Sequence, residues 1–434
     1  VGFTFDPVVD GVGLLGARWK PYFRPDPGVY ETLEVPYFPL SLYNDGSTGL
    51  YLFGFSYNPS DYTLTTKDGT KYNYNQYQGL KTVEDRNGNT LTFADDGITS
   101  STGVEIDFVR DASGRITEII DPDGKSLKYS YDASGNLIEF TDRTNNETTF
   151  KYEGWRPHYL TQIIDPLGRT GVRTEYDASG QISKIFDANG NALDINYNSA
   201  TSRQTVKDPF GNATTYVFDK RGNVSSEIDA LSGVTARTYD RNNNIISETN
   251  PEGNTTSYTY DARGNKLTET NGEGNTTRFT YNANNDLLTE TDPLGNTTTY
   301  IYDARGNLTS RKDAAGKITT YKYNQFGLLT EVVDANGSRS TFTYDFSGNI
   351  TSLTDPTGAK TNFTYDRNGR VTSVTDALGA ITNYIYDAQG RLIEKADPEG
   401  SSCGCGSGVT RTEYNAAGEK IAEIDALGRR TEYR

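Results

Sequence analysis

Methionine is absent from this 434-residue sequence, and the chemically versatile side chains are nearly so: one histidine, two cysteines and two tryptophans. A single histidine leaves only His158 for a Ser-His-Asp or Cys-His arrangement. The segment around it, Glu153-Gly-Trp-Arg-Pro-His-Tyr159, holds neither a cysteine nor a nucleophile elbow. Two cysteines are too few for a disulfide framework. Basic charge is also short: 42 Lys and Arg face 58 Asp and Glu, for a formal charge of −16. That balance argues against a nucleic-acid partner, because phosphate binding rests on clustered cations. No run approaches the roughly 18 consecutive apolar residues of a membrane-spanning helix, and the N-terminal apolar stretch is broken at Gly11, Gly13 and Gly16. The expectation is a non-enzymatic chain with no cofactor, no metal site, no nucleic-acid partner and no transmembrane segment.

What is abundant is tyrosine (31), phenylalanine (18) and glycine (44), and their placement is periodic. An aromatic residue followed by Asp or Asn recurs at Tyr176, Tyr197, Phe218, Tyr239, Tyr260, Tyr281, Tyr302, Tyr323, Tyr344, Tyr365 and Tyr386, every interval being 21 residues. The series extends back through Tyr152 and Tyr131 and forward to Tyr414 across short insertions. Each unit carries two turn signals, as in Asp303-Ala-Arg-Gly306 and Asp313-Ala-Ala-Gly316. Asp at the first position accepts backbone N–H groups further on, and Gly at the fourth takes positive φ without strain, a role assigned to Gly264, Gly306, Gly348 and Gly390. The pattern predicts a type I turn with a glycine bulge.

The intervening segments have the length of strands. Thr298, Tyr300 and Tyr302 alternate with Thr297, Thr299 and Ile301, as a pleated strand requires. Ile350 and Leu353, three apart, share a face only if a bulge or a fraying end intervenes. The fold class expected is all-β: a repeated β-hairpin meander on a 21-residue period, coiling into a large spiral sheet or hollow shell, because strand twist accumulates and long open sheets curl. Residues 1–60, rich in proline and aromatics, read as an irregular cap or plug. Residues 61–434 read as the repeat sheet, regular over 176–406, with insertions near 153–160 and 401–408. Val1 and Arg434 read as cut ends of a longer repeat array.

Tyr302-Asp-Ala-Arg-Gly-Asn-Leu-Thr309 and Asp292-Pro-Leu-Gly-Asn-Thr-Thr-Thr-Tyr-Ile-Tyr302 closely resemble the repeat of the YD-repeat or RHS-repeat family, and the resemblance covers roughly residues 61 to 434. It implies a large secreted or cell-surface protein whose repeats wind into a hollow β-shell. In bacterial polymorphic toxins and insecticidal toxin complexes of that family the shell encloses a C-terminal toxic domain, and in teneurins a related barrel serves cell adhesion. The family's self-cleaving segment with its aspartates has no assignable counterpart here, since Asp165-Pro-Leu-Gly168 matches the ordinary second turn.

The tyrosine ladder reads first as packing of rings against Leu and Ile, and second as a stripe that holds sugar or unfolded chain. Cys403 and Cys405, in a Gly/Ser-rich loop, read as a local or intermolecular disulfide or cross-link, because a metal site needs about four ligands. Asp121-Pro-Asp-Gly124 and Asp187-Ala-Asn-Gly190 lack calcium-loop spacing and read as turns. Sites such as Asn254-Thr-Thr256 read as turn and strand residues, not glycan acceptors. The leading functional expectation is a structural section of a secreted or surface-exposed shell that encapsulates or presents a C-terminal toxin or effector. The alternative is an adhesive or fibre-forming surface protein. Partners would be the chain's own cargo domain or neighbouring subunits, with a cell-surface receptor or glycan as a further contact.

Overall fold

The computed structural model describes residues 2–13, 16–38, 40–42, 48–50, 58–398 and 408–433. Among these there is no helix. Thirty-nine strands form one antiparallel sheet in which, from Asp61–Thr65 to Arg430–Glu432, each strand pairs with the next in sequence. Cys403 and Cys405 lie outside the described residues.

One repeat shows why the chain folds this way. At the second turn the Gly295 N–H donates to the Asp292 carbonyl at 3.0 Å and the Asp292 N–H to the Asn296 carbonyl at 2.9 Å. Asp292 Oδ1 accepts the N–H groups of Leu294 (2.9 Å) and Asn296 (2.8 Å), while Oδ2 accepts the Asn296 side-chain amide at 2.7 Å. These bonds, led by the Asn296 amide, hold the Asp292 carboxyl below its ordinary pKa. Gly295 has φ of +87°, and in equivalent turns Asn145, Asn243 and Asn285 take φ of 63°, 63° and 67°. Glycine or asparagine, which tolerate the left-handed region, hold this place in nearly every turn; Ser232, with φ of 68°, is an exception.

The first turn, Asp303 to Gly306, repeats this chemistry and adds a bulge. Tyr302 pairs with Leu308 and Ile301 with Ser310, so Thr309 is the extra residue. Its hydroxyl donates to the Ile301 carbonyl at 3.1 Å, as Thr330 does to Lys322 and Ser183 to Glu175. The same bulge sets Ile350 opposite Tyr344 and Leu353 opposite Phe342, which answers the three-residue spacing that alternation alone could not. Placed at the same end of nearly every repeat, the bulge bends the sheet in one sense.

The N-terminal stretch is more regular than its proline content suggested. Phe3–Phe5, Phe23–Pro25 and Thr32–Glu34 extend the large sheet by pairing in turn up to Asp61–Thr65. Val8–Gly13, Gly16–Lys20, Leu40–Leu42 and Thr48–Leu50 make a separate four-stranded sheet. Pro25 ends its strand, while Pro7, Pro21, Pro27 and Pro36 fall outside strands, where a missing N–H costs no ladder bond. Phe23 packs against Phe5 and Tyr62, with ring centroids 5.2 and 6.0 Å apart.

Almost nothing is fully buried. Among the described residues only Leu40 and Ala422 count as buried apolar side chains. The sheet is a single layer, held by its ladders, its turns and a half-buried ring-bearing face. A Cβ on Gly295 would meet no atom within 4 Å. Gly295→Ala is therefore expected to cost about 1 kcal/mol through backbone strain alone, and Gly295→Asn a few tenths. Amide exchange across the 289–299 hairpin reads the difference; equal costs for Ala and Asn would refute the strain argument.

Candidate functional site

The repeat tyrosines stand at the ends of strands, half-buried, and most do more than fill space. The ladder between Ile350–Thr354 and Lys360–Tyr365 stops at Ser352 opposite Asn362, because the bulge draws the strands apart beyond it. The Tyr365 hydroxyl closes the gap by donating to the Ile350 carbonyl at 2.8 Å. Tyr176, Tyr239, Tyr260, Tyr344 and Tyr386 make the same bond at 2.6 to 2.9 Å, and Tyr414 a longer one at 3.3 Å. Burial raises the phenol pKa along the series, as at Tyr260, Tyr344 and Tyr365.

Other members of the series differ. Tyr281, Tyr302 and Tyr323 keep the buried ring, but their hydroxyls find no hydrogen-bond partner among the described residues, and Phe218 has none to offer. Tyr197 is 41% exposed in a hairpin without a bulge.

The second feature was invisible along the chain: the sheet winds back on itself. Turns of the first circuit meet first-type turns some 200 to 250 residues later. Lys67 Nζ donates to the Gly264 carbonyl at 2.8 Å. Arg86 grips Asp286 with both Nη atoms, at 2.6 and 2.9 Å. The Asn307 amide donates to Asn87 at 2.9 Å, and the Asn89 amide to the Phe326 carbonyl at 3.0 Å. Further on, Asp123 accepts from Asn368 and Arg370, Gln389 donates to Thr144, and Arg169 pairs with Glu419 through two bonds of 3.0 and 3.1 Å.

Counted along the strand order, a circuit takes 19 strands at Lys67 and 23 at Arg169. At about 4.8 Å per strand this corresponds to a ring roughly 30 to 35 Å across.

The turn glycines acquire a second role at this seam. A Cβ on Gly306 would lie 2.2 Å from the Arg86 guanidinium carbon, one on Gly264 2.4 Å from the Tyr30 ring, and one on Gly327 2.3 Å from the Asn87 amide. Gly390 does not meet the first circuit; its Cβ would lie 3.2 Å from Arg370 of the adjacent first-type turn. Along the same edge Arg221 and Arg263 each donate to a carbonyl of the next first-type turn, lacing neighbours sideways.

His158 sits in the enlarged turn at 153–159 with φ of +70°, its Nδ1 2.6 Å from the Asn136 amide oxygen. Arg156 lies 4.0 Å over the Trp155 ring and donates to the carbonyls of Asp177 and Ala178. The insertion thus ties adjacent turns together. Among the described residues no three His, Cys, Asp or Glu side chains converge as a metal site would require.

Electrostatics at the seam follow from these pairs. The Arg86 hydrogen bonds hold the Asp286 carboxyl below its ordinary value near 3.8, Asp286 raises the Arg86 pKa, and burial lowers that of Lys67. The Arg169 pair likewise lowers Glu419 from near 4.5. The sequence offered no signal for these partners, since turn arginines and lysines look alike whether or not a turn 200 residues away receives them.

A family described as RHS Repeat matches residues 110–148, 131–170, 239–276, 281–318, 302–339, 323–361 and 365–402, together just over half of the chain. No curated protein matches. Among solved structures, the crystal structure of TcdB2-TccC3 without its hypervariable C-terminal region is similar with a TM-score of 0.58 at 14% identity, over 94% of this chain and 28% of that one. The Photorhabdus luminescens Tc holotoxin pore is similar with a TM-score of 0.50 at 14% identity, over 99% of this chain and 31% of that one. This chain therefore spans less than a third of the length of those proteins, and at such identity the likeness concerns the fold.

Two outcomes test the site. Tyr365→Phe removes a bonded hydroxyl and is expected to cost about 1 to 2 kcal/mol, whereas Tyr302→Phe, whose hydroxyl is unbonded, is expected to be near neutral; hairpin-resolved amide exchange separates them, and equal effects would refute the hydroxyl's role. A carboxylate whose pKa is lowered by folding stabilises above its unfolded pKa and loses that contribution as pH falls through the folded value. The seam is thus expected to be intact near neutral pH and to loosen below about pH 4, seen as a larger radius of gyration in X-ray scattering before strand signal is lost. Asp286→Asn should flatten that acid response.

Proposed function

The chain belongs to the RHS repeat family, and on that premise we propose that it is a wall section of a secreted or surface-exposed shell that encloses or presents a C-terminal toxin or effector, with residues 1–60 as its cap. The observation that carries this reading is the continuous 39-stranded sheet whose successive circuits are laced turn to turn along most of the seam, so that the sheet closes on itself as a wall. The similarity in fold to TcdB2-TccC3 and to the Tc holotoxin pore supports it. The wall acts physically, not chemically: hydrogen-bonded backbone separates the enclosed chain from solvent, and net negative charge favours solubility.

A second reading, an adhesive or fibre-forming surface protein, draws on one specific feature. Several second-type turns project apolar tips, with Leu231, Leu294 and Leu378 88 to 95% exposed. These would suit contacts between subunits.

Limited proteolysis of the natural full-length polypeptide distinguishes the two. The shell reading expects whatever lies C-terminal to the repeats to resist protease while the wall is intact, and to become sensitive in parallel with seam opening when Arg86 is replaced by Ala. Digestion of that region at the same rate with the wall intact and unfolded would contradict the shell and leave adhesion as the better account.

A further inference from the structure

Nine consecutive first-type turns, from the one at Asp240 to the one at Asn415, face the first circuit. Eight of them exchange a hydrogen bond with it, through Tyr30, Lys67, Arg86, Asn87, Asn89, Asp123, Thr144 and Arg169. The turn at Asp345-Phe346-Ser347-Gly348 is the exception among the described residues. At that position the seam opens into a cavity of about 790 Å³, bounded on one side by Val83, Leu91 and the Ser100–Thr102 tip, and on the other by Leu328, Phe342 and Phe346.

The gap has a local cause. Gly97–Ser100 is a four-residue strand, joined to Thr90–Ala94 by a two-residue connection at Asp95 and Asp96, so this hairpin departs from the repeat length that laces the other turns. The rim is equally unusual. Phe346, 77% exposed, stands where the corresponding turns carry Arg241, Ala262, Ala304 or Ala388, and Phe326 occupies the neighbouring tip.

We propose that this window in the seam is a binding site for an uncharged polypeptide segment bearing aromatic or branched aliphatic side chains. The volume lies within the range of sites that enclose a ligand of several side chains. The lining is apolar and aromatic, with amide and hydroxyl groups from Asn89, Ser101, Thr102 and Asn324 suited to peptide N–H and C=O groups. It includes no Lys, Arg or His, which disfavours a phosphate headgroup or an acidic peptide. Its two carboxylates are already committed to their own turns: Asp85 accepts from Asn87 and Asn89, and Asp345 from Asn349. The site does not depend on whether the shell encloses a cargo.

The test is fluorescence anisotropy with two labelled peptides, Phe-Leu-Phe-amide and Gly-Ser-Gly-amide, titrated with the full 434-residue chain. Saturable binding of the first and none of the second is expected. Phe346→Ser should weaken binding at least tenfold, while Phe210→Ser, an aromatic turn tip that is also exposed but lies outside the cavity, should leave it unchanged; neither side chain is buried, so folding is not at stake. Absence of saturable binding, indifference to Phe346→Ser, or equal loss in both variants would each overturn the proposal.

Discussion

A carboxylate that accepts two backbone N–H groups and a side-chain amide is the contact on which the wall depends. Asp292 and Asp303 make it in successive turns, Asn296 and Asn307 supplying the amide, and the same arrangement recurs in other hairpins. With so few buried side chains there is no core to dictate register, so the turns must do it. A slip of one residue would carry every ring to the other face. The turn is therefore the register-setting device, and a fourth residue in the left-handed region, nearly always glycine or asparagine, is what lets it close.

From that constraint the larger geometry follows in order. A register fixed at the turn forces the surplus residue after each first-type turn into a bulge. The bulge bends nearly every hairpin in one sense, and accumulated bending returns the sheet to itself after 19 to 23 strands. Only then do turns such as Arg86 and Asp286 come together. The bulge also parts the strands beyond it, leaving a carbonyl short of a ladder donor, and at Tyr365 and several other repeats, though not at Tyr281, Tyr302 or Tyr323, the tyrosine supplies one from its hydroxyl. A tyrosine at that place is thus selected by the backbone it completes as much as by the ring it packs.

The sequence made the local rules legible and left the long-range ones hidden. Both turns, the left-handed glycines and the all-β class are encoded within one 21-residue repeat, and the period shows in its copies, so pattern and propensity suffice. The three-residue spacing of Ile350 and Leu353 left a bulge and a fraying end open, and the register shows the bulge. The extended segments near the N-terminus are hard to read because proline density does not say which N–H groups the ladder needs. The seam was beyond reach for a different reason. Arg86 pairs across 200 residues and Arg169 across 250, whereas Arg221, of the same type and in a similar turn, bonds only along its own edge. Which of these a turn arginine does depends on how far the sheet has turned, a property of the summed curvature and of no single repeat.

The account stands or falls on the coils being laced, and the pair at Arg86 and Asp286 offers the most direct measurement. Reversing either charge alone, Arg86→Asp or Asp286→Arg, leaves two like charges facing each other in a half-buried seam, and reversing both restores opposite charges. Denaturant unfolding of the four proteins forms a double-mutant cycle. Lacing predicts that the double variant recovers most of the stability that either single variant loses. Losses that simply add would mean that the two residues do not meet, and that the sheet does not return on itself at this point.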